Sequence, residues 1–154
     1  MDYLTVKWLH ILSSTFLFGT GIGSAFYLLF ASISRDSRAI AVVTRTVVLA
    51  DWIFTTTTAI LQPLTGFYLI KLAGYPMSST WIRWSVILYL LALACWLPVV
   101  WIQIRMRGLA REAVEHQLPL SMAYWRHFWI WVALGVPAFF AFVMVFYLMV
   151  TKPI

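Results

Sequence analysis

The chain has 154 residues, of which 63% are apolar, 18% aromatic and only 10% charged, and its mean hydropathy is +0.89. A soluble domain carries roughly 25% charged and roughly 45–50% apolar residues, so an ordinary water-soluble globule is excluded, and disorder with it, since disorder needs the opposite balance. The net charge of +6 does not make a nucleic-acid surface, because the basic residues are few and scattered between apolar blocks.

Along the chain, the stretches 11–34, 52–70, 84–104 and 128–151 are free of Asp, Glu, Lys, Arg and His. A helix needs roughly 20 apolar residues to cross a hydrocarbon core about 30 Å thick. The period-two alternation of a membrane barrel is missing. The expected spans are 5–33, 47–72, 81–106 and 126–151. Short connections force neighbouring spans to run antiparallel. The fold class is therefore all-α, an integral membrane antiparallel four-helix bundle in a single transmembrane domain, 1–154. Residues 105–116 form a helical extension, with Arg111 and Glu115 four apart on one face. The start Met1-Asp2-Tyr3-Leu4 lacks the basic region of a secretion signal, so the first span is expected to stay in the protein.

Orientation follows from Lys and Arg. Arg35, Arg38, Arg45, Arg105, Arg107, Arg111 and Arg126 lie at one end of the spans, and Lys7, Lys71, Arg83 and Lys152 at the other. That bias points to cytoplasmic first and third connections and to both termini on the outer, periplasmic side of a bacterial inner membrane. Lipid is then an expected partner. Trp81, Trp84, Trp101, Trp125 and Trp129 fall near the span ends as interfacial anchors.

A polar side chain facing lipid is costly, so those within spans are expected to face inward. Lys7, His10, Ser14, Leu17, Gly21 and Ser24 recur at alternating steps of three and four, as do Asp51, Thr55, Thr58, Gln62 and Thr65. The two stripes predict a polar seam, for interhelical hydrogen bonds or for a bound group. Gly19 and Gly23 form a small-xxx-small pair suited to close helix approach. Pro63, Pro98 and Pro137 each remove a helical bond and leave a carbonyl four residues earlier in need of a partner. Asp51 is expected at the start of the second helix, as its N-cap or paired with Arg45. Cys95 is the single cysteine and permits no intrachain disulfide.

His10 is the strongest metal-ligand candidate, since a neutral imidazole can bind a metal while its other nitrogen is held by a neighbour. His116 and His127 belong to the opposite end, about 20–25 Å away at 1.5 Å per residue, too far to share one metal. Gln62, Thr65, Arg83, Ser85 and Tyr89 stand at the level of His10, and Arg83 with Lys7 suits the carboxylates of a flat, apolar ligand. The chain has no phosphate-binding glycine loop and no hydrolytic residue set.

Val6-Lys7-Trp8-Leu9-His10-Ile11 at the opening of the first span, the glycine-rich run after it, and Val150-Thr151-Lys152-Pro153-Ile154 at the close resemble the haem-containing membrane protoporphyrinogen oxidases of the HemJ type and their small bacterial relatives. The resemblance implies a four-helix membrane fold and haem b, with His10 in the place of the family's first-helix histidine. Trp81-Ile82-Arg83-Trp84-Ser85 and Val47-Val48-Leu49-Ala50-Asp51 depart from the family's basic positions, so the resemblance implies fold and cofactor more than oxidase activity.

The leading expectation is a haem b protein of the inner membrane with a redox or electron-transfer role, acting on a porphyrin-like or other small substrate. His10 is its axial metal ligand, Arg83 and Lys7 are propionate partners, and Ser14 and Gln62 belong to the surrounding seam. A redox partner and a homodimer go with it. The alternative is a cofactor-free scaffold, lipid-binding protein or small-molecule carrier. Gly19 and Gly23 serve assembly in that case, and the polar stripes serve only packing.

Overall fold

A computed structural model describes residues 2–153. The elements are α1 (Tyr3–Ser34), α2 (Ser37–Ala50), a π-helical turn (Asp51–Thr55), α3 (Thr56–Ala73), α4 (Thr80–Glu115) and α5 (Met122–Thr151). The α2 segment, the π turn and α3 form one continuous rod, Ser37–Ala73, so four helices are long and apolar enough to cross a membrane. The fold is an all-helical four-helix membrane bundle.

Its turns follow from local chemistry. Asp2 caps α1 by accepting from the Thr5 N–H at 3.2 Å. Arg35 ends the helix in the left-handed region and donates its N–H to Ser32, and Asp36 at once caps α2 through the Arg38 N–H. The second rod therefore begins at Ser37, with residues 37–46 helical ahead of the expected span. After α3, Gly74 at φ +69 lets the Gly74 and Tyr75 amides close on Lys71 and Ile70, as a helix C-terminus requires.

The core lies in two separate parts. Leu28, Ile40, Val47, Val99, Ile102, Met106, Tyr124, Phe128 and Trp131 pack at the arginine-rich end, joining α1, α2, α4 and α5. There the fully buried Tyr124 hydroxyl and Ser32 Oγ share a 2.7 Å hydrogen bond. Trp81, Ile82 and Leu148 form a smaller cluster at the other end. Cations lie over aromatic rings at both ends: Arg35 over Trp125 and Arg105 over Trp101 at one, Lys152 over Trp81 at the other. This arrangement suits side chains at a membrane–water boundary.

Candidate functional site

Two polar features lie between these clusters. The first is the α1–α3 seam. His10 Nδ1 is 2.7 Å from Thr65 Oγ1, and the Thr65 hydroxyl is itself 2.7 Å from the Leu61 carbonyl. A hydroxyl has one proton. With that proton on Leu61, Thr65 accepts from His10 Nδ1–H, and His10 Nε2 keeps its lone pair. The imidazole lies against Gly66, where a Cβ would come within 3.2 Å of His10 Cε1. One turn further in, buried Ser13 donates to Gln62 Oε1 and also reaches the His10 carbonyl at 3.2 Å.

Of the expected site residues, His10 and Gln62 are thus brought together, through Ser13. Ser14 donates to the Ile11 carbonyl of its own helix, and the contact with α3 falls to Ser13, one position and about 100° round the helix. Lys7 and Arg83 are exposed. Lys7 lies 5.9 Å from the Tyr3 ring centre. The ion pair found among the described residues is Arg111–Glu115. His127 donates Nδ1–H to the Ala123 carbonyl beside Trp101, and His116 is exposed beyond α4. Among the described residues no three His, Cys, Asp or Glu stand together as a metal site.

The second feature is a cavity of about 440 Å³ enclosed by α1, the π turn, α4 and α5. Phe18, stacked on Phe139 at 5.7 Å and edge-on to Phe146 at 5.2 Å, closes it on one side. Val99 and Trp131 of the larger core close it on the other. Its lining residues Ile22, Phe26, Val136 and Phe140 are also exposed, so the mouth opens sideways between α1 and α5, toward acyl chains. The wall is almost wholly apolar, yet Asp51, Thr55, Tyr89, Trp96 and Gln103 line it.

Three of those groups carry a buried atom without a close hydrogen bond: Asp51 Oδ2, Gln103 Oε1 and Trp96 Nε1. The Gln103 side chain stands next to the Asp51 carboxyl, and the two residues are only 4% and 5% exposed. Ser85 Oγ is a fourth such atom, on α4 beside Ile82 and away from the cavity lining. Asp51 Oδ1 accepts from Thr55 at 2.8 Å. Among the described residues no Lys, Arg or His lines the cavity.

Asp51 is not the N-cap that the sequence suggests, and Arg45 does not pair with it. The helix runs straight through it because Ile40, Thr44, Val47 and Val48 give α2 a buried face of its own. The wide turn closes with the Thr56 N–H and hydroxyl both on the Asp51 carbonyl. A π turn inserts an extra residue and commonly marks a functional position. The run Thr55-Thr56-Thr57-Thr58 was the available signal, since threonine hydroxyls that bond back to the preceding turn loosen a helix.

Pro63 leaves the Ala59 carbonyl without its helical donor, and the Tyr89 hydroxyl of α4 supplies one. Gly19 and Gly23 meet no atom within 4 Å of a built Cβ, so the close approach expected of them is not made within the chain.

The chain matches, over residues 4–153, a family described as "Predicted integral membrane protein (DUF2269)". No curated protein and no solved structure matches it.

Proposed function

We propose, for a chain that belongs to the DUF2269 family of predicted integral membrane proteins, a function exercised inside the bilayer: reversible binding of a small, mainly apolar molecule in the cavity between α1 and α5. The observation that carries this reading is the set of three buried, unpartnered polar atoms on the cavity wall, Asp51 Oδ2, Gln103 Oε1 and Trp96 Nε1. Each such atom costs about 1–3 kcal/mol, and folded proteins seldom tolerate several together. A ligand with an apolar body and one polar end relieves that cost. The volume of about 440 Å³ lies within the roughly 300–1,000 Å³ of small-molecule sites.

The test is thermal unfolding in dodecylmaltoside with 4-phenylbutanol as the probe. The probe raises the midpoint of the unaltered protein and does not raise that of Gly21→Leu. Gly21 lines the cavity with open space at its Cβ, so the larger side chain projects into the site. Equal shifts in both proteins refute the reading, as does the lack of any shift with both this probe and its analogue 4-phenylbutylammonium.

A second reading is favoured by the His10–Thr65 bond. With Nδ1–H committed to Thr65, Nε2 is the nitrogen free to take a metal, the arrangement by which proteins orient a ligating histidine. His10 would hold haem b through Nε2, and the haem would supply redox and electron-transfer chemistry. The terminal motifs quoted above support the same reading. Lys7 and Arg83, free of carboxylate partners among the described residues, suit propionates, and Gln62 with Ser13 fixes the backbone beneath the imidazole. Among the described residues His10 belongs to no group of three His, Cys, Asp or Glu, and this reading draws a second ligand from a second copy of the chain. Absorption of gently purified protein, made with ample haem, tests it. A Soret band that His10→Ala abolishes or shifts and His116→Ala leaves intact supports it, and the lack of a band refutes it.

For either function the distribution of arginines supports termini on the periplasmic face of a bacterial inner membrane. In a Cys95→Ala background, Ser78→Cys is expected to label from outside in intact cells and Glu112→Cys only after permeabilisation. The reverse pattern inverts the orientation.

A further inference from the structure

We infer that the cavity ligand is a lipophilic amine bound as its ammonium ion, with the charged group on Asp51 and Gln103 and the apolar body among the aromatic rings. The inference rests on the cavity-binding reading above and names the chemistry of its ligand. Asp51 Oδ2 and the Gln103 amide stand side by side on the wall, and an ionised Asp51 only accepts, so the ligand's polar end is a donor. An ammonium group offers three N–H donors and no acceptor, enough for both oxygens at once.

Charge points the same way. Asp51 is 5% exposed, lies in a membrane-spanning rod and has no ion-pair partner among the described residues. Acidic groups at such depth ordinarily pair with a cation or mark a substrate path. Because no Lys, Arg or His among the described residues lines the cavity, the pairing cation comes from the ligand. The walls suit it too. Phe18, Tyr89, Trp131, Phe139 and Phe142 line the same space, and the faces of such rings attract desolvated cations. A zwitterionic lipid headgroup fits poorly, since its phosphate meets no cation there and lies beside Asp51. The ligand is a free amine with an apolar body, entering from the acyl region through the mouth between α1 and α5.

The experiment compares three probes of one shape on detergent-solubilised full-length protein by isothermal titration calorimetry at fixed micelle concentration. The probes are 4-phenylbutylammonium, its trimethylated quaternary analogue, and neutral 4-phenylbutanol. The ammonium is expected to bind the unaltered protein about tenfold or more tighter than the alcohol, as a charge-assisted bond to a buried carboxylate implies. The quaternary probe, which keeps the charge and loses the donors, is expected to fall between them. Asp51→Asn keeps the shape and removes the charge, so it is expected to lower ammonium affinity by about tenfold or more.

Alcohol bound as tightly as ammonium by the unaltered protein overturns the inference and leaves the cavity reading standing. So does undiminished ammonium binding by Asp51→Asn. If no probe binds, both fall. Because the first comparison needs no variant, poor folding of Asp51→Asn does not remove the test.

Discussion

The bond from Tyr89 to Ala59 ties a missing donor in one helix to a hydroxyl in another, and its energy can be isolated. Pro63 has no N–H, so the Ala59 carbonyl is left open at membrane depth, and Tyr89 of α4 closes it. Tyr89→Phe removes the donor and little volume. Leaving a buried acceptor unpaired costs about 1–3 kcal/mol, whereas interhelical hydrogen bonds in membranes average about 0.6 and reach about 1.7. The expected loss is therefore about 1–2 kcal/mol, or roughly a five- to thirtyfold change in the folded-to-unfolded ratio. The assay is loss of helical circular dichroism on titrating sodium dodecyl sulfate into dodecylmaltoside micelles. In a Pro63→Ala background the backbone N–H at position 63 can reach Ala59 itself, so Tyr89→Phe is expected to cost less than about 0.5 kcal/mol there, a coupling that a double-mutant cycle reads directly. An equal cost in both backgrounds refutes the claim that the hydroxyl serves this carbonyl.

Gly66→Ala puts a Cβ within 3.2 Å of His10 Cε1; the imidazole is expected to shift off Thr65, seen as loss of the Nδ1–H tautomer in nitrogen-15 spectra of His10. Ser32→Ala strands the buried Tyr124 hydroxyl and is expected to destabilise by about 1–3 kcal/mol, with much of that recovered in the Ser32→Ala, Tyr124→Phe pair, again by detergent unfolding. The Thr5 side chain, and with it the Thr5 N–H, holds the Asp2 carboxyl below its ordinary value of 3.8. Its contribution to the first turn is thus full above that value and is lost as pH falls through the depressed one. Protection of the Thr5 amide, its exchange rate measured against the intrinsic rate at the same pH, is expected to fall over that acid range, and Asp2→Ala is expected to abolish that change.

Four apolar runs were enough to give the fold class, because lipid leaves the backbone few alternatives to a helix. The early start of the second rod was harder to see. Charges at Arg35, Asp36, Arg38 and Arg45 mask the helical spacing of Ile40, Thr44, Val47 and Val48, which the structure buries against α1 and α4. Once α2 is helical, Asp51 ceases to be a terminus and becomes a buried mid-rod carboxyl, the feature on which the cavity reading turns. The seam was legible as to which helices meet, and His10, Gln62 and Thr65 do meet through it. Its register was not, since adjacent serines at 13 and 14 fit the same spacing and only packing selects Ser13. Pro63 announces a vacant carbonyl in the sequence, but its donor lies on another helix, where no local pattern points. Gln103 and Trp96 gave no signal at all: a single polar residue in a long apolar run acquires meaning only when the opposite walls are known.

The sideways opening between α1 and α5 has a consequence for how occupancy is governed. Whatever enters arrives by two-dimensional diffusion within the leaflet, so the concentration that matters is the one dissolved in oil and not the one in the surrounding buffer. A greasy solute is enriched there by its partition coefficient, and its apparent potency in water rises by that same factor even when its grip on the protein is weak. Among solutes with matched polar heads, chain length would then rank potency through solubility alone, and selectivity would reside at the head.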